Sequence, residues 1–262
     1  MKINLENKIS IVTGGTSGIG RSIAVNLAKN GATVIPISRS TEKVNSVAKE
    51  IKKFGGLVIP FSSDVSKKDE VLRINEMLAD NKLKVDIIIN CAGITIKKEI
   101  LELSEEEWEE VININLKSIF LIAKYLGPLI IKQAKDTGSF SKFITIGSVG
   151  SFQGIPLSSA YCSSKGGVLQ LTKVMAIEWA KYKVNVNAII PGYILTPLSS
   201  SILKNQDTYK KVLSRIPLNK IGDVGDVSNL CLFLVSQFSN YITGAAINVD
   251  GGLISAAYTY QS

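Results

Sequence analysis

The stretch "TGGTSGIG", Thr13 to Gly20, is a glycine-rich turn close to the start of the chain. It follows the apolar run "KISIVTG" (8–14) and opens the helical pattern "GIGRSIAVNLAKNGA" (18–32). Glycines let a backbone turn tightly and approach an anion, and the helix that follows presents free N–H groups and the positive end of its dipole. The pattern therefore predicts a pyrophosphate site, with a purely structural turn as the alternative. The residues predicted to form this site are Gly14, Thr16, Ser17, Gly18 and Ile19.

Short apolar runs alternate with helical patterns along the rest of the chain. Strands are predicted at 8–14, 33–38, 57–65, 85–93, 142–150, 185–192 and 246–252. Helices are predicted at 18–32, 41–54, 67–81, 104–126 and 158–182, the fourth beginning with a capping box of Ser104 and Glu107. Nearly all-apolar strands between helices are typical of a parallel sheet covered on both faces. We therefore predict an α/β, doubly wound Rossmann fold with seven parallel strands, built as one domain over residues 1–262.

Composition excludes several classes of function. The 262 residues include no histidine, which excludes His-based general bases, catalytic triads and histidine zinc sites. The formal net charge is +8, but the lysines are scattered singly or in pairs, so we expect no nucleic acid partner. The three cysteines, Cys91, Cys162 and Cys231, make no metal-ligand pattern and fit buried thiols in a reducing cytoplasm. We expect no metal, no signal peptide and no membrane span.

The end of the second predicted strand bears on the choice of cofactor. An acidic residue there would bind the ribose 2′-hydroxyl of NAD, but this chain has Ser38, Arg39 and Ser40. A guanidinium between two hydroxyls suits a 2′-phosphate, which favours NADP(H) over NAD(H); a solvated surface arginine is the alternative. Further residues that follow strands are expected to contact the cofactor, with ordinary turn residues as the alternative: Asp64, Val65, Asn90, Ala92 and Gly93.

A tyrosine and a lysine four residues apart occur in "SSAYCSSKGG", Ser158 to Gly167. Positions i and i+4 share a helix face, so Tyr161 and Lys165 are expected to be neighbours. The usual tyrosine pKa of about 10 is too high for acid–base work near neutrality, and a nearby ammonium lowers it. We expect Tyr161 to act as general acid or base, Lys165 to lower its pKa and hold the nicotinamide ribose, and Ser148 to bind the substrate oxygen. Ordinary packing on a helix surface is the alternative for the pair.

These motifs together resemble the short-chain dehydrogenase/reductase family over about residues 5–253. The resemblance rests on "TGGTSGIG", "NCAG" (90–93), the Ser148–Tyr161–Lys165 set, "PGYILT" (191–196) and "VDGG" (249–252). It implies a catalytic asparagine on the fourth helix, assigned to Asn115 with Asn113 as the weaker choice, which kinks the helix and supports a proton relay. It also implies that the nicotinamide is contacted by Pro191, Gly192, Ile194 and Thr196.

The resemblance leaves the substrate open. Some segments resemble 3-oxoacyl-carrier-protein reductases, and others resemble gluconate 5-dehydrogenases and 2-deoxygluconate 3-dehydrogenases. The implied activity is hydride transfer between NADP(H) and a ketone or secondary alcohol, beneath a substrate lid at about 193–222. An NAD(H)-preferring dehydrogenase and a non-catalytic NADP(H)-binding sensor or scaffold are the alternatives. Apolar positions on the two long helices, together with the family's habit, predict a homotetramer. The positions expected on the contact surface are Trp108, Ile112, Ile119, Phe120, Leu171, Met175 and Trp179.

Overall fold

Seven strands form one parallel sheet in a computed structural model that describes residues 2–200 and 205–256. The strands are β1 (Ile9–Thr13), β2 (Thr33–Ser38), β3 (Phe61–Ser62), β4 (Ile87–Asn90), β5 (Ser141–Ile146), β6 (Val184–Pro191) and β7 (Ala246–Val249). They lie in the order β3-β2-β1-β4-β5-β6-β7, and every neighbouring pair is parallel. The chain thus winds outward from β1 in both directions, which confirms the predicted doubly wound sheet and places its switch point between β1 and β4.

Helices connect the strands. They are α1 (Gly18–Lys29), α2 (Thr41–Lys53), α3 (Lys68–Asp80), α4 (Glu105–Ile112), α5 (Ser118–Thr137), α6 (Ser159–Trp179), α7 (Gln206–Leu213) and α8 (Val224–Val235). A π-helical turn, Asn113–Lys117, joins α4 to α5, and a 3₁₀ turn, Val149–Ser151, follows β5. The predicted capping box is confirmed, because the Ser104 hydroxyl accepts from the backbone N–H of Glu107 and the Glu107 carboxylate accepts from that of Ser104.

The core lies on both faces of the sheet. Successive residues of a strand point to opposite faces, so Ile11 and Val12 of β1 belong to different apolar clusters. The cluster that contains Ile11 is completed by α3, α5 and α6. The cluster that contains Val12 is completed by α1, α2 and α8. Burial on both faces explains why most strand residues are apolar.

Several predicted elements differ from the observed ones. The strand predicted at 57–65 is reduced to Phe61–Ser62 and an isolated bridge between Val34 and Val58. The Ile59 and Ser63 N–H groups donate to the Val34 and Ser38 carbonyls, and Pro60 between them is tolerated because β3 is an edge strand. The helix predicted at 104–126 contains the π turn and then continues to Thr137, where Gly138 adopts a φ of 67° and ends it. Helix α8 has apolar residues on several faces and was not predicted.

One continuous helical segment, Glu105–Thr137, is long and apolar enough to cross a membrane. Its apolar side chains are accounted for by packing on the sheet, since Ile122, Leu126 and Ile130 are fully buried in the core. We therefore interpret it as a core helix.

Segment 193–222, predicted as a lid, is held together at its base. The Leu195 N–H donates to the Gly222 carbonyl over 2.9 Å, and the Gly222 N–H donates to the Tyr193 carbonyl over 3.0 Å. Helix α7 lies within the segment. Residues 201–204 of the segment lie outside the described residues. The two ends of the segment therefore lie side by side.

Candidate active site

A cavity of about 260 Å³ lies at the carboxyl ends of β4, β5 and β6. A second cavity lies at the carboxyl ends of β2 and β3, and the two share Gly14, Ser17, Ala92 and Gly93 in their walls. We call them the catalytic cavity and the adenosine cavity. Residues predicted for the cofactor and present in the walls of one or both are Gly14, Thr16, Ser17, Gly18, Ile19, Ser38, Arg39, Ser40, Asp64, Val65, Ala92, Gly93, Tyr161, Lys165, Pro191, Gly192, Ile194 and Thr196.

Asn90 is the predicted cofactor residue that lines neither cavity within the described part of the chain. Its side chain is buried, and its amide donates to the Ile144 carbonyl over 3.4 Å. The structure thus places Asn90 between β4 and β5, beneath the backbone that forms the cavity walls.

The glycine-rich turn brings β1, β4 and α1 into close contact. Gly14 has a φ of 64°, and a Cβ atom there would lie 2.8 Å from the backbone nitrogen of Ala92. Only glycine fits both the conformation and the space. Ser17 is the N-cap of α1, and among the described residues its side chain makes no cap hydrogen bond. The first N–H groups of α1 therefore remain available, and the turn fits a phosphate group.

The adenosine cavity carries positive side chains at the end of β2. Arg39 is exposed and stands beside Ser38 and Ser40, and the Ser40 hydroxyl caps α2 by accepting from the backbone N–H of Lys43. The Lys43 side chain lines the same cavity, which sequence reasoning missed. Nothing in the sequence separates Lys43 from a solvated lysine on a helix face. This pair of cations fits the 2′-phosphate of NADP(H).

Ser148 and Tyr161 face each other across the catalytic cavity. Ser148 follows β5, and its hydroxyl accepts from the backbone N–H of Gly150 over 3.1 Å. Tyr161 lies in the first turn of α6, and its phenol is hydrogen-bonded with the Ser148 side chain. The Ser148 hydroxyl is thus held by the backbone next to the Tyr161 phenol.

Lys165 lies one helical turn after Tyr161, as predicted. Its Nζ is 5.8 Å from the centre of the Tyr161 ring and donates to the Ile146 carbonyl over 2.7 Å. Burial lowers the pKa of Lys165 to about 8. A lysine whose pKa lies near neutral pH changes its protonation state easily when a charged group binds beside it.

The net shift of the Tyr161 pKa is upward, whereas a lowering by Lys165 was predicted. Burial raises the pKa of Tyr161 above its ordinary value, and the hydrogen bond with Ser148 only partly opposes this rise. The physical reason is that desolvation penalises the phenolate more than its neighbours stabilise it. Tyr161 is therefore a protonated acid at neutral pH.

Asn115 is fully buried inside the π turn. Its side-chain oxygen accepts from the Ile94 N–H over 2.9 Å, and its amide donates to the Ile94 carbonyl and the Ser164 hydroxyl, each over 3.0 Å. It therefore clamps the backbone after β4 against α6. Asn113, the weaker choice, is only partly buried in the same turn. A π turn is often found at functional sites, because it displaces one residue from the helical ladder.

Cys231 is buried as predicted, whereas Cys91 and Cys162 are only partly buried. Burial raises the pKa of Cys91 to about 12 and also raises that of Cys231. A thiol with a raised pKa is a poor nucleophile. No cluster of three or more potential metal ligands occurs in residues 2–200 and 205–256.

A second cation in the catalytic cavity was also missed from the sequence. Lys97 lines this cavity together with Thr95, Ser148 and Tyr161. In the sequence it is one of a pair of lysines after the "NCAG" motif, and nothing there separates it from a solvated lysine.

Comparisons with known proteins agree with this geometry. The family described as Enoyl-(Acyl carrier protein) reductase matches residues 14–254. The 3-oxoacyl-acyl-carrier-protein reductase of Thermotoga maritima is 35% identical over 96% of this chain and 100% of its own length. The 2-dehydro-3-deoxy-D-gluconate 5-dehydrogenase of Dickeya dadantii is 34% identical over 96% of this chain and 97% of its own.

A solved structure of similar fold is the gluconate 5-dehydrogenase from Burkholderia cenocepacia J2315 in complex with NADP and tartrate. It superimposes with a TM-score of 0.92 at 28% identity, over 98% of each chain. A family match over most of the chain, relatives above one-third identity over their full length, and the site geometry lead to one conclusion. The chain belongs to the short-chain dehydrogenase/reductase family of oxidoreductases.

Proposed function

We propose that this protein is an NADP(H)-dependent oxidoreductase that transfers a hydride between the nicotinamide and a ketone or secondary alcohol. The observation that carries the proposal is the convergence of Ser148, Tyr161 and Lys165 in one cavity, joined through the glycine-rich turn to a second cavity lined by Arg39. The NADP complex of the similar Burkholderia cenocepacia enzyme supports the choice of cofactor.

Ser148 and Tyr161 act on the substrate oxygen. NADP(H), when bound, supplies or accepts the hydride. Because the pKa of Tyr161 is raised, its phenol is protonated near neutral pH and donates this proton to the carbonyl oxygen as that oxygen gains charge. The Ser148 hydroxyl, fixed by the Gly150 N–H, donates a hydrogen bond to the same oxygen and orients it. In the oxidation direction the Tyr161 phenolate accepts the proton of the alcohol.

Lys165 and Asn115 support this acid. The Lys165 amino group uses one hydrogen on the Ile146 carbonyl, which leaves two to hold ribose hydroxyls and to stabilise the phenolate. Asn115 is a positioning residue in the proposed proton relay. A Cβ atom at Gly93 would lie 3.4 Å from the Asn115 oxygen and 3.7 Å from the Lys165 nitrogen, so the two polar groups approach each other across this glycine.

The test is NADPH and NADH oxidation with an acetoacetyl thioester, 5-ketogluconate, an α-diketone and an aryl ketone. We expect turnover with NADPH on at least one of these classes and slower turnover with NADH. Tyr161→Phe is expected to lower kcat by about 10²–10⁴-fold, the usual contribution of a general acid, with NADPH binding nearly intact. Tyr182→Phe, which changes a tyrosine of the 3₁₀ turn after α6, is the matched control.

The outcomes separate this proposal from its alternative. Retained turnover in Tyr161→Phe would refute the acid–base role of the phenol. Tight NADPH binding without turnover on any substrate would instead favour a non-catalytic sensor.

We further infer a cytoplasmic homotetramer. Free thiols at Cys91, Cys162 and Cys231 suit a reducing compartment. Helices α4, α5 and α6 expose apolar side chains at Trp108, Phe120, Val174 and Ile177, which suit contacts between subunits.

A further inference from the structure

The catalytic cavity contains one cation that the proposed chemistry does not use. Of the charged side chains in its described walls, Lys165 is buried and bonded to the Ile146 carbonyl, and Lys97 is the other. Aspartate and glutamate are not found among these described wall residues. The charged side chains in the described walls are therefore all positive, and the cavity favours an anion.

The backbone directs Lys97 into this cavity. The Lys98 N–H donates to the Leu157 carbonyl over 3.0 Å, and Lys98 forms an isolated parallel bridge with Ser158. The Lys98 side chain turns outward to Glu107, with Nζ 2.6 Å from the carboxylate. Side chains alternate along extended backbone, so Lys97 lies on the opposite side, toward Ser148 and Tyr161.

Lys97 has its charge available for a ligand. Within residues 2–200 and 205–256 it takes part in none of the salt bridges, whereas its neighbour Lys98 is paired. A lysine ammonium binds an anion as a point charge, without the paired donors of an arginine. A single ammonium is better matched to the single charge of a carboxylate.

We propose that Lys97 binds the carboxylate of the substrate, so that the enzyme acts on small oxoacids and hydroxyacids in preference to neutral ketones. This inference rests on the proposed function, because it assumes that the carbonyl binds at Ser148 and Tyr161. The carboxylate at Lys97 and the carbonyl oxygen at Tyr161 then fix the substrate at two points. The hydroxyl of Thr95, in the same wall, is available to intervening polar groups of the substrate.

The experiment compares 5-ketogluconate with its uncharged amide as substrates of the full-length enzyme with NADPH. We expect a kcat/KM at least about tenfold higher for the carboxylate, as a hydrogen bond to a charged group would give. Lys97→Gln should lower this preference by about tenfold or more, mainly through KM, and Lys97→Glu should reverse it. Lys98→Gln removes the same charge one residue away and should leave the preference unchanged.

Two further measurements keep the outcomes distinct. Reduction of an uncharged α-diketone tests the chemistry without the carboxylate, and calorimetric titration of 5-ketogluconate tests binding without turnover. An unchanged preference in Lys97→Gln, or an equal loss in Lys98→Gln, would overturn the inference while diketone reduction left the proposed function standing. Weaker 5-ketogluconate binding in Lys97→Gln, with no substrate reduced by the wild type, would support Lys97 and refute the function.

Discussion

Arg39 is the residue on which the cofactor preference depends most directly. It is exposed at the end of β2 and lines the adenosine cavity with Lys43. Arg39→Asp replaces an attraction for the 2′-phosphate by a repulsion, so the ratio of kcat/KM for NADPH over NADH should fall by roughly 100-fold. Lys43→Gln should lower the ratio less. Arg73→Gln, outside both cavities, is the control, and an unchanged ratio in Arg39→Asp would show that the 2′-phosphate binds elsewhere.

Lys142 is a buried cation at the opposite end of β5. It is 2% exposed, and its Nζ donates to the Asn185 and Asn240 side-chain oxygens, each over 2.8 Å, and to the Ser239 hydroxyl over 3.1 Å. These partners are neutral, and burial lowers the pKa of Lys142 to about 8. Its charge is therefore maintained against a desolvation penalty.

The contribution of Lys142 to the free energy of unfolding therefore depends on pH. Between about pH 8 and the ordinary lysine pKa of about 10.4, the unfolded chain binds the proton more tightly than the folded one, so this group's contribution to stability rises with pH. The free energy of unfolding of the wild type, relative to Lys142→Met, should increase by about 1–3 kcal/mol from pH 7.5 to pH 10. Urea unfolding at both pH values measures it. A difference independent of pH would contradict the lowered pKa.

The roles of some site residues could be predicted from the sequence, and the roles of others could not. Ser148, Tyr161 and the glycine-rich turn were predictable because each directly follows a strand or opens a helix. Lys43 and Lys97 were not, because a lysine beside a cavity and a solvated lysine have the same local sequence. The raised pKa of Tyr161 depends on how completely the fold excludes water, which no local pattern reports.

At the scale of one element, the capping box at α4 is open to a direct test. Ser104→Ala removes the acceptor for the Glu107 N–H and should lower the free energy of unfolding by about 1 kcal/mol. Ser104→Gly, which lets water replace the hydroxyl, should cost only a few tenths of a kcal/mol. Chemical denaturation of the three proteins measures both effects, and kcat should not change. Equal losses for alanine and glycine would assign the effect to something other than the cap.

Elements were predictable where their periodicity was regular. The π turn at Asn113–Lys117 was not visible as such, since one displaced residue leaves the apolar pattern of the helix almost unchanged. Helix α8 was missed because burial on several sides removes the amphipathic pattern on which helix prediction depends. At β3 the predicted strand was longer than the observed one, and the sequence did not show that this strand lies at the edge of the sheet and pairs on one side only.

For the whole molecule, the predicted assembly concerns the outer faces of the long helices. Ile119 and Met175, predicted to lie on this surface, are buried in the core, and the exposed apolar residues are Trp108, Phe120, Val174 and Ile177. Light scattering should give four times the 28.3 kDa mass of the chain. Replacing Val174 and Ile177 by lysine should lower this mass, whereas Leu57→Lys, on another face, should not. A monomer mass for the wild type would refute the assembly.

The architecture as a whole followed from the sequence because alternating strands and helices permit few topologies. Because all strands are parallel, the residues that follow them lie at the same end of the sheet, which is why site residues far apart in sequence converge. Many of the other residues that line the two cavities lie on loops, and loop sequences have no hydrophobic periodicity from which their positions could be predicted.

The paired base of segment 193–222 also bears on how this enzyme could acquire new specificities. Because Tyr193, Leu195 and Gly222 are bonded to one another, the ends of the intervening chain stay in place whatever lies between them. Doubling the length of such a loop costs only about 0.6 kcal/mol in closure entropy. A foreign stretch grafted between residues 196 and 220 would therefore start and end at the same places, but it would have to replace the buried side chains of Val212 and Ile216, which pack on Val149 and Leu253. Evolution or an engineer can exchange this stretch as a cassette if the new sequence supplies those two apolar contacts.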